Sequence, residues 1–280
     1  MRGWNSLTTP GNNTTFALLV ACSFLLAPTP VPAQGREEIA EHASETIEIL
    51  PPQPHPRVGE RLSFHGRWLG IPVGHGWIEV NGLTEAEGLQ AYTVEAQIHS
   101  NDFLSTFYPI HDTLRSTIEA TTFRPLRVEK YQREGHYRAD EIVTFDYERL
   151  VATYRSLLNQ SVKEVSISPY VHDLLSAFYW LRAHSLDLTT PTSLELYSDE
   201  KIYRVDFAPV MTLRLELRRR GTFPCVLIEP KANFKGVLIQ RGRIWFYISA
   251  DERRLPLYVR IATPWGPMTG VIDQESLSGR

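Results

Sequence analysis

The side chains able to do chemistry in this 280-residue chain are plentiful, yet few stand at the spacings that chemistry demands. Nine histidines are the first candidates. His65 and His75 lie ten positions apart, His111 is followed by Asp112, and His172 by Asp173. A zinc-protease helix needs two imidazoles at i, i+4 so that both reach one ion, and a structural zinc site needs close Cys/His pairs. Neither spacing occurs, so no metal ligand is assigned. A Gly-x-Ser-x-Gly elbow is missing, as is the glycine-rich loop that cradles phosphates. Nothing in the spacing of serine, histidine and aspartate selects three of them as a triad. No catalytic residue and no cofactor is therefore assigned. The one enzymatic reading kept is hydrolysis of an envelope polymer by two carboxylates such as Glu129 and Asp140, which would have to face each other across a cleft.

The aromatic residues point to a different chemistry. Trp68, Trp77, Phe103, Phe107, Tyr179 and Trp245 are assigned to the wall of an apolar binding site. If the segments that carry them curl into a barrel-like sheet, such side chains would line its interior. The stretch from Phe103 to Tyr108 stands out, because polar turn residues are expected between two strands. Asn101-Asp102 opens a short helical turn there, stacking Phe103 on Phe107 at i, i+4. Its leading role is a plug at an open end of the sheet; the alternatives are a gate to an apolar cavity or contact with a membrane.

Three polar clusters have structural readings that outweigh functional ones. Asp173, Ser176, Tyr179 and Arg182 share a helical segment, where the acid suits the N-terminus and the base the C-terminus of the dipole. The hairpin from Arg127 to Glu141 mixes both signs of charge, as cross-strand ion pairs on a solvated face do. The turn Asp251-Glu252-Arg253-Arg254 reads as salt-bridged, with capture of a carboxylate or phosphate by its two arginines as the rival.

These groups must be positioned mostly by strands. Leu213, Leu215 and Leu217 alternate with Arg214, Glu216 and Arg218, the period-two signature of a half-buried strand. Leu62, Phe64 and Trp68 fall at even spacing, and Trp77 to Val80 ends at Asn81-Gly82, a hairpin signal. Residues 124–156 read as a meander, and further strands follow from Leu194 onward. One helix interrupts them. Ser168-Pro169 is read as its cap and first residue, and Val171, Leu174, Leu175, Phe178 and Leu181 share a face, which places it at about 169–184.

The N-terminal stretch reads as an export signal. Arg2 is followed by an apolar run over 16–27, too short to span a bilayer comfortably, and Val31-Pro32-Ala33 offers a cleavage site after Ala33. Cys22 within Leu19-Val20-Ala21-Cys22 leaves a lipoprotein reading open, although the chain continues apolar after it. The expected location is the periplasm or the outer membrane. Cleavage after Ala33 would leave Cys225 as the sole cysteine, in an apolar strand-like run where a buried, inert thiol is expected. Residues 34–57, ending in Pro51-Pro52-Gln53-Pro54-His55-Pro56, read as a proline-rich linker. Residues 58–276 form the β-rich domain and 277–280 a tail. A net charge of −3 offers no basic field for nucleic acid.

Several motifs occur in an order that resembles the family known as domain of unknown function 3108. They are Trp68 to Gly74, Phe123-Arg124-Pro125-Leu126, Asp173 to Arg182, Gly221-Thr222-Phe223 and Asp251 to Pro256, and the likeness runs from about Gly59 to Ile272. The resemblance implies an exported protein with a curved, barrel-like sheet, and supplies no activity. Residues and resemblance together predict a mainly β fold: one curved antiparallel sheet or barrel-like meander of about a dozen strands with one packed amphipathic helix. Two non-enzymatic functions precede the hydrolase: holding or passing on a lipid or other apolar ligand, and docking other envelope proteins.

Overall fold

The computed structural model describes residues 39–278 apart from 44–46, 54, 186–191, 235–236, 239–242 and 264. The export signal over 1–33, with Cys22, lies outside the described residues. The expected β architecture is present as one large, mostly antiparallel sheet.

In chain order the first strand is β1 (Ile39–Ala43). A meander follows: β2 (Arg61–Trp68), β3 (Ile71–Ala86), β4 (Leu89–Ser100), the four-residue helix α1 (Asp102–Ser105), β5 (His111–Glu119), β6 (Pro125–Glu134), β7 (Tyr137–Asp146), β8 (Val151–Ser156) and β9 (Val162–Ser166). Each strand pairs with the next. The short β10 (Val171–His172) leads into helix α2 (Leu174–Ala183). A second meander comprises β11 (Thr192–Ser198), β12 (Lys201–Leu217), β13 (Gly221–Phe234), β14 (Val237–Leu238), β15 (Arg243–Ser249), β16 (Pro256–Thr263) and β17 (Gly266–Ile272), and α3 (Gln274–Ser278) ends the described chain.

Two strands from opposite ends of the domain weld the meanders together. β17 pairs antiparallel with β2, from Met268 opposite Trp68 to Ile272 opposite Phe64. On the other side the sheet does not close by backbone pairing among the described residues: β9 is one edge, and β10 lies parallel to β11 at the other. The strand count exceeds the expected dozen because β10 and β14 span only two residues each and because β1 joins the sheet.

Local chemistry explains the turns. Leu69-Gly70, Glu87-Gly88 and Asp199-Glu200 have positive φ at both positions, the backbone of tight hairpins whose twist matches their strands. Asn81-Gly82, expected as a turn, instead lies inside β3. Val80 pairs with Val94 and Gly82 with Thr93, so Asn81 is the extra residue of a β-bulge. The hairpin closes six residues later at Glu87-Gly88, so the Asn-Gly signal is spent on bending the strand.

Helix α2 is shorter than expected at its start. Val171 belongs to β10, and the cap is Asp173, whose carboxylate accepts from the N–H groups of Leu175 and Ser176 while the Ser176 hydroxyl accepts from the Asp173 N–H. This is a reciprocal capping box. Ser168 only closes the preceding turn, accepting from the Tyr170 N–H. The helix lies within the curve of the sheet, and its side chains enter several core clusters. Leu175 and Tyr179 pack with Val94, Leu114 and Phe145, Ala177 packs with Leu194 and Val205, and Leu181 packs against Val226 and Ile228. Arg182 in the last turn makes two bonds to Glu60, at 2.6 and 2.8 Å, and donates to the carbonyl of Arg253.

The expected linker is partly docked. β1 pairs with the second half of β12, from Ile39 opposite Leu217 to Ala43 opposite Leu213. Leu50 and Gln53 donate backbone bonds to Ala250 and Glu252. Buried Arg254 donates to the carbonyls of Leu50 and Ala250, and Arg253 to those of Ser276 and Leu277. The two arginines of this turn therefore clamp backbone carbonyls instead of forming the expected salt-bridged turn. Proline hinders a central strand but does not stop carbonyls from accepting.

Both Arg182 and Glu60 are largely buried. Truncating Glu60 to Ala strands the guanidinium and is expected to cost about 3 kcal/mol, whereas the double replacement Glu60→Leu, Arg182→Met should cost less than either single change. Urea unfolding followed by tryptophan fluorescence checks both.

Candidate functional site

The site begins with glycines in strands, where a side chain is normally wanted. Gly270 in β17 pairs with Gly66 in β2, and Gly66 pairs with Gly74 in β3; Gly76 lies opposite Phe64. A strand glycine marks close backbone approach or room left for something else. Both occur here. A Cβ on Gly76 would stand 2.8 Å from the Gln97 carbonyl oxygen, so Gly76 lets β3 press against β4. A Cβ on Gly66 would find nothing nearer than the Gly74 carbonyl oxygen at 3.6 Å.

All four glycines border a partly open cavity of about 480 Å³. Helix α2 forms one wall through Leu174, Ala177, Phe178 and Leu181. The sheet supplies the others, from both meanders: Ile78 and Ile98 from the first, Leu196, Phe207, Phe246 and Ile261 from the second. Two polar side chains on the wall already have partners. Arg182 is held by Glu60 and the Arg253 carbonyl. The Ser100 hydroxyl accepts from the Ile110 N–H and pairs with the Ser105 hydroxyl at 2.6 Å. The interior thus offers an occupant van der Waals contact and little else. A volume of this size falls within the range of drug- and lipid-sized pockets, roughly 300–1,000 Å³.

Of the six aromatics assigned to such a wall, Trp77 borders the cavity, with the guanidinium of Arg61 over its ring at 4.1 Å. Trp68 packs beside it with Ile261 and Met268, and its indole N–H donates to the Trp265 carbonyl. Tyr179 is buried on a neighbouring face of α2. Trp245 lies between the guanidinium groups of Arg243 and Arg260. Phe103 and Phe107 stack edge to face 5.4 Å apart, as i, i+4 spacing predicted, but both are exposed. It is Leu104, between them, that turns inward onto the cavity. Aliphatic residues thus make most of the wall, and reading the aromatics alone missed them. Gly66, whose added Cβ would meet no close neighbour, was the signal in the sequence.

Glu129 is bonded to Arg127 at 2.9 Å and Asp140 to Arg133 at 2.5 Å. Each acid is neutralised by its own arginine, so the two do not form a facing acid and base. The same hairpin also differs from the solvated face expected of it. Lys130 and Glu141, paired across β6 and β7 at 2.6 Å, are buried, with Asp199 as third partner at 3.2 Å. Two acids hold the buried ammonium protonated, its pKa raised despite desolvation.

Four histidines that looked unrelated in sequence form a row. His65 pairs with His75, His75 with His99 and His99 with His111, across β2 to β5. Burial, with His111 and His75 close by, lowers the His99 pKa. Among the described residues no group of three or more His, Cys, Asp or Glu is arranged to hold a metal ion. Cys225 is free and buried, and burial pushes its thiol up to about 12.

The entrance to α2 holds another buried titratable pair. Asp173 accepts from Ser116 as well as from its own helix, yet burial still raises its pKa. His172 donates from Nδ1 to the Phe123 carbonyl, and burial lowers its pKa to about 4.

The sequence model of the family described as "Protein of unknown function (DUF3108)" matches residues 63–273. No curated protein matches the chain. Among solved structures the fold is similar to the crystal structure of a beta-barrel-like protein of domain of unknown function DUF1849 from Brucella abortus. The TM-score is 0.51 at 8% sequence identity, over 78% of this chain and 97% of that one. At that identity the likeness concerns the fold alone.

His172 makes stability depend on pH with a definite sign. Its folded pKa is depressed, so below the ordinary imidazole value the unfolded chain takes a proton that the folded chain refuses. Stability is fully present above about pH 6.5 and is lost as pH falls towards about 4, by about 3 kcal/mol in all. His172→Asn keeps a donor for Phe123 and removes the titration; its urea midpoint should change less between pH 7 and 4.5 than that of the unaltered protein.

Proposed function

This chain belongs to the DUF3108 family, whose description names no activity, and from the geometry we propose that it is an exported envelope protein that holds a lipophilic molecule inside its sheet. The observation that carries this reading is the apolar cavity of about 480 Å³ between α2 and the two meanders. Packed interiors hold few voids larger than a water molecule, and an apolar void of this size stays dry and accepts apolar guests. The partnered state of Arg182 and Ser100 on the wall supports a guest whose enclosed part is hydrocarbon. Any polar end of that guest would remain outside the enclosed volume. The export signal expected over 1–33 supports an envelope location, where lipids are the abundant ligands of this chemistry.

The test combines native mass spectrometry with solvent extraction. Purified protein should carry an extractable lipid or take up a fatty acid in one-to-one ratio. A protein that always arrives empty and takes up no added fatty acid would sink the reading. Gly66→Leu places a side chain where the structure leaves room. It should lower fatty-acid affinity about tenfold or more while keeping or raising the urea midpoint, since filling an apolar void is worth about 1 kcal/mol per methyl-sized group.

A further inference from the structure

The two ends of the first meander differ in a way that the cavity does not explain. Strands β2 to β9 run up and down, so the connections 69–70, 101–110, 135–136 and 157–161 gather at one end. The connections 87–88, 120–124 and 147–150 gather at the other. The second set holds Glu87, Arg124, Glu148 and Arg149. The first set is longer in total, yet Asp102 is its one formally charged residue. It presents apolar side chains to solvent instead: Leu69 at 43%, Phe103 at 55%, Phe107 at 57% and Leu158 at 54% exposure, with Ile71 at 48% beside the first of them.

Hydrogen bonds fix the α1 tip against its neighbour. The Asn101 side chain caps α1 by accepting from the Leu104 N–H, and donates to the Pro72 carbonyl at 2.8 Å. The Asn101 N–H donates to the Val73 carbonyl. The bonds tie α1 to the hairpin that carries Leu69 and Ile71. Leu104 points in to the cavity from the same turn that points Phe103 and Phe107 out.

Behind the apolar tips lies a collar of cationic and imidazole side chains. Every strand pair entering this end contributes: Arg67 from β2, His99 and His111 from β4 and β5, Arg138 from β7, Arg155 from β8 and Lys163 from β9. Lys163 is paired with Glu200 and Arg133 with Asp140, and Asp112 and Glu134 lie inside, so the exposed cations of the collar outside those pairs are led by Arg138 and Arg155. An apolar, aromatic tip with few charges above a basic collar has the pattern of an element that lies in a membrane interface, where the tip enters the acyl boundary and the collar meets anionic headgroups.

We propose that this end of the sheet docks on the surface of an anionic lipid bilayer through Leu69, Ile71, Phe103, Phe107 and Leu158. The proposal rests on the connections and the collar, independently of whether the cavity is occupied. If both readings hold, the docked end brings one wall of the cavity, at Val73 and Leu104, to the bilayer.

The test is co-sedimentation of purified protein with vesicles of phosphatidylcholine, alone and mixed with phosphatidylglycerol. The unaltered protein should sediment with the mixed vesicles and less with the neutral ones, and added salt should weaken binding. Phe103→Ser with Phe107→Ser should lower partitioning about tenfold or more, because two exposed aromatics no longer enter the interface. Leu157→Ser with Leu158→Ser, in a separate connection at the same end, should weaken it too. Leu83→Ser with Leu89→Ser, exposed at the opposite end, should leave it unchanged. Gly66→Leu should keep vesicle binding while losing the cavity guest, which separates this proposal from the first. Three results would overturn docking. The unaltered protein stays in the supernatant with every vesicle; the two ends respond alike; or the protein is a dimer that the Phe103/Phe107 variant turns into a monomer, which would make the tips a contact between copies.

Discussion

A sheet curved as strongly as this one has an inner face that must be covered, and a single helix of ten residues covers part of it. Such a helix is about 15 Å long at 1.5 Å per residue. A sixteen-residue strand such as β3 would run about 50 Å if straight. The helix therefore fills part of the concavity and leaves the rest to side chains from the sheet. Where those side chains are large, as around Phe145, Tyr154 and Tyr197, the interior packs solid. Where β17, β2 and β3 carry glycines in register, it does not. The position of the helix is consequently decisive. It is fixed at one end by the capping box and the Ser116 bond to Asp173, and at the other by the bidentate bond of Arg182 to Glu60.

The two sides of the sheet are held by different forces. Along β2 and β17 the meanders are joined by backbone hydrogen bonds, which bring distant parts of the chain into one ladder. Across the opposite side the chain itself passes from β9 to β10, and charged side chains supply the ties. Asp199 at the β11–β12 turn reaches Lys130 on β6, and Glu200 at the same turn reaches Lys163 on β9. The first of these ties is buried, so breaking it leaves an ammonium with one partner in a low-dielectric setting. The second is largely exposed and contributes little. The hairpin turn at Asp199-Glu200, with positive φ at both residues, aims the two carboxylates at different strands.

Much of the fold was legible because period-two alternation is a local signal. Leu213, Leu215 and Leu217 are buried as their spacing requires, and the segment 124–156 is the meander that its turns announce. Signals that admit two structures were less informative. Asn81-Gly82 fits both a hairpin and a bulge, and only pairing with Val94 and Thr93 selects the bulge. Ser168-Pro169 has the chemistry of a helix start, but Asp173 with Ser176 has it too, and the strand pairing of Val171 with Glu195 settles between them. The docking of Ile39–Ala43 on β12 depends on a partner more than 170 residues away, so a polar, proline-rich neighbourhood hid it. The site was harder still. Wall residues and core residues have the same types, so alternation marks both; the hollow is recorded as a side chain that is absent at Gly66, while Gly74, Gly76 and Gly270 serve close approach of neighbouring atoms. The histidine row escaped for a related reason, since its four members become neighbours through register and not through sequence spacing.

The size of the cavity bears on what state the protein rests in. In cores emptied by substitution, stability falls by about 24 cal/mol for each Å³ of void. The walls here enclose only part of a volume of about 480 Å³, so the penalty is smaller than that scale gives for a sealed void of the same size. The enclosed part can be served by contraction, by water or by a guest. Contraction is opposed by the two anchors of α2 and by the β2–β17 ladder, which fix the helix and the glycine-bearing strands at their separation. Water gains little from a lining whose polar side chains Arg182 and Ser100 are already bonded. A hydrocarbon guest restores the missing contacts without moving either wall, and the stabilisation it brings rises with its concentration over its dissociation constant. The same features that hold the helix in place therefore suit the proposed occupancy better than collapse.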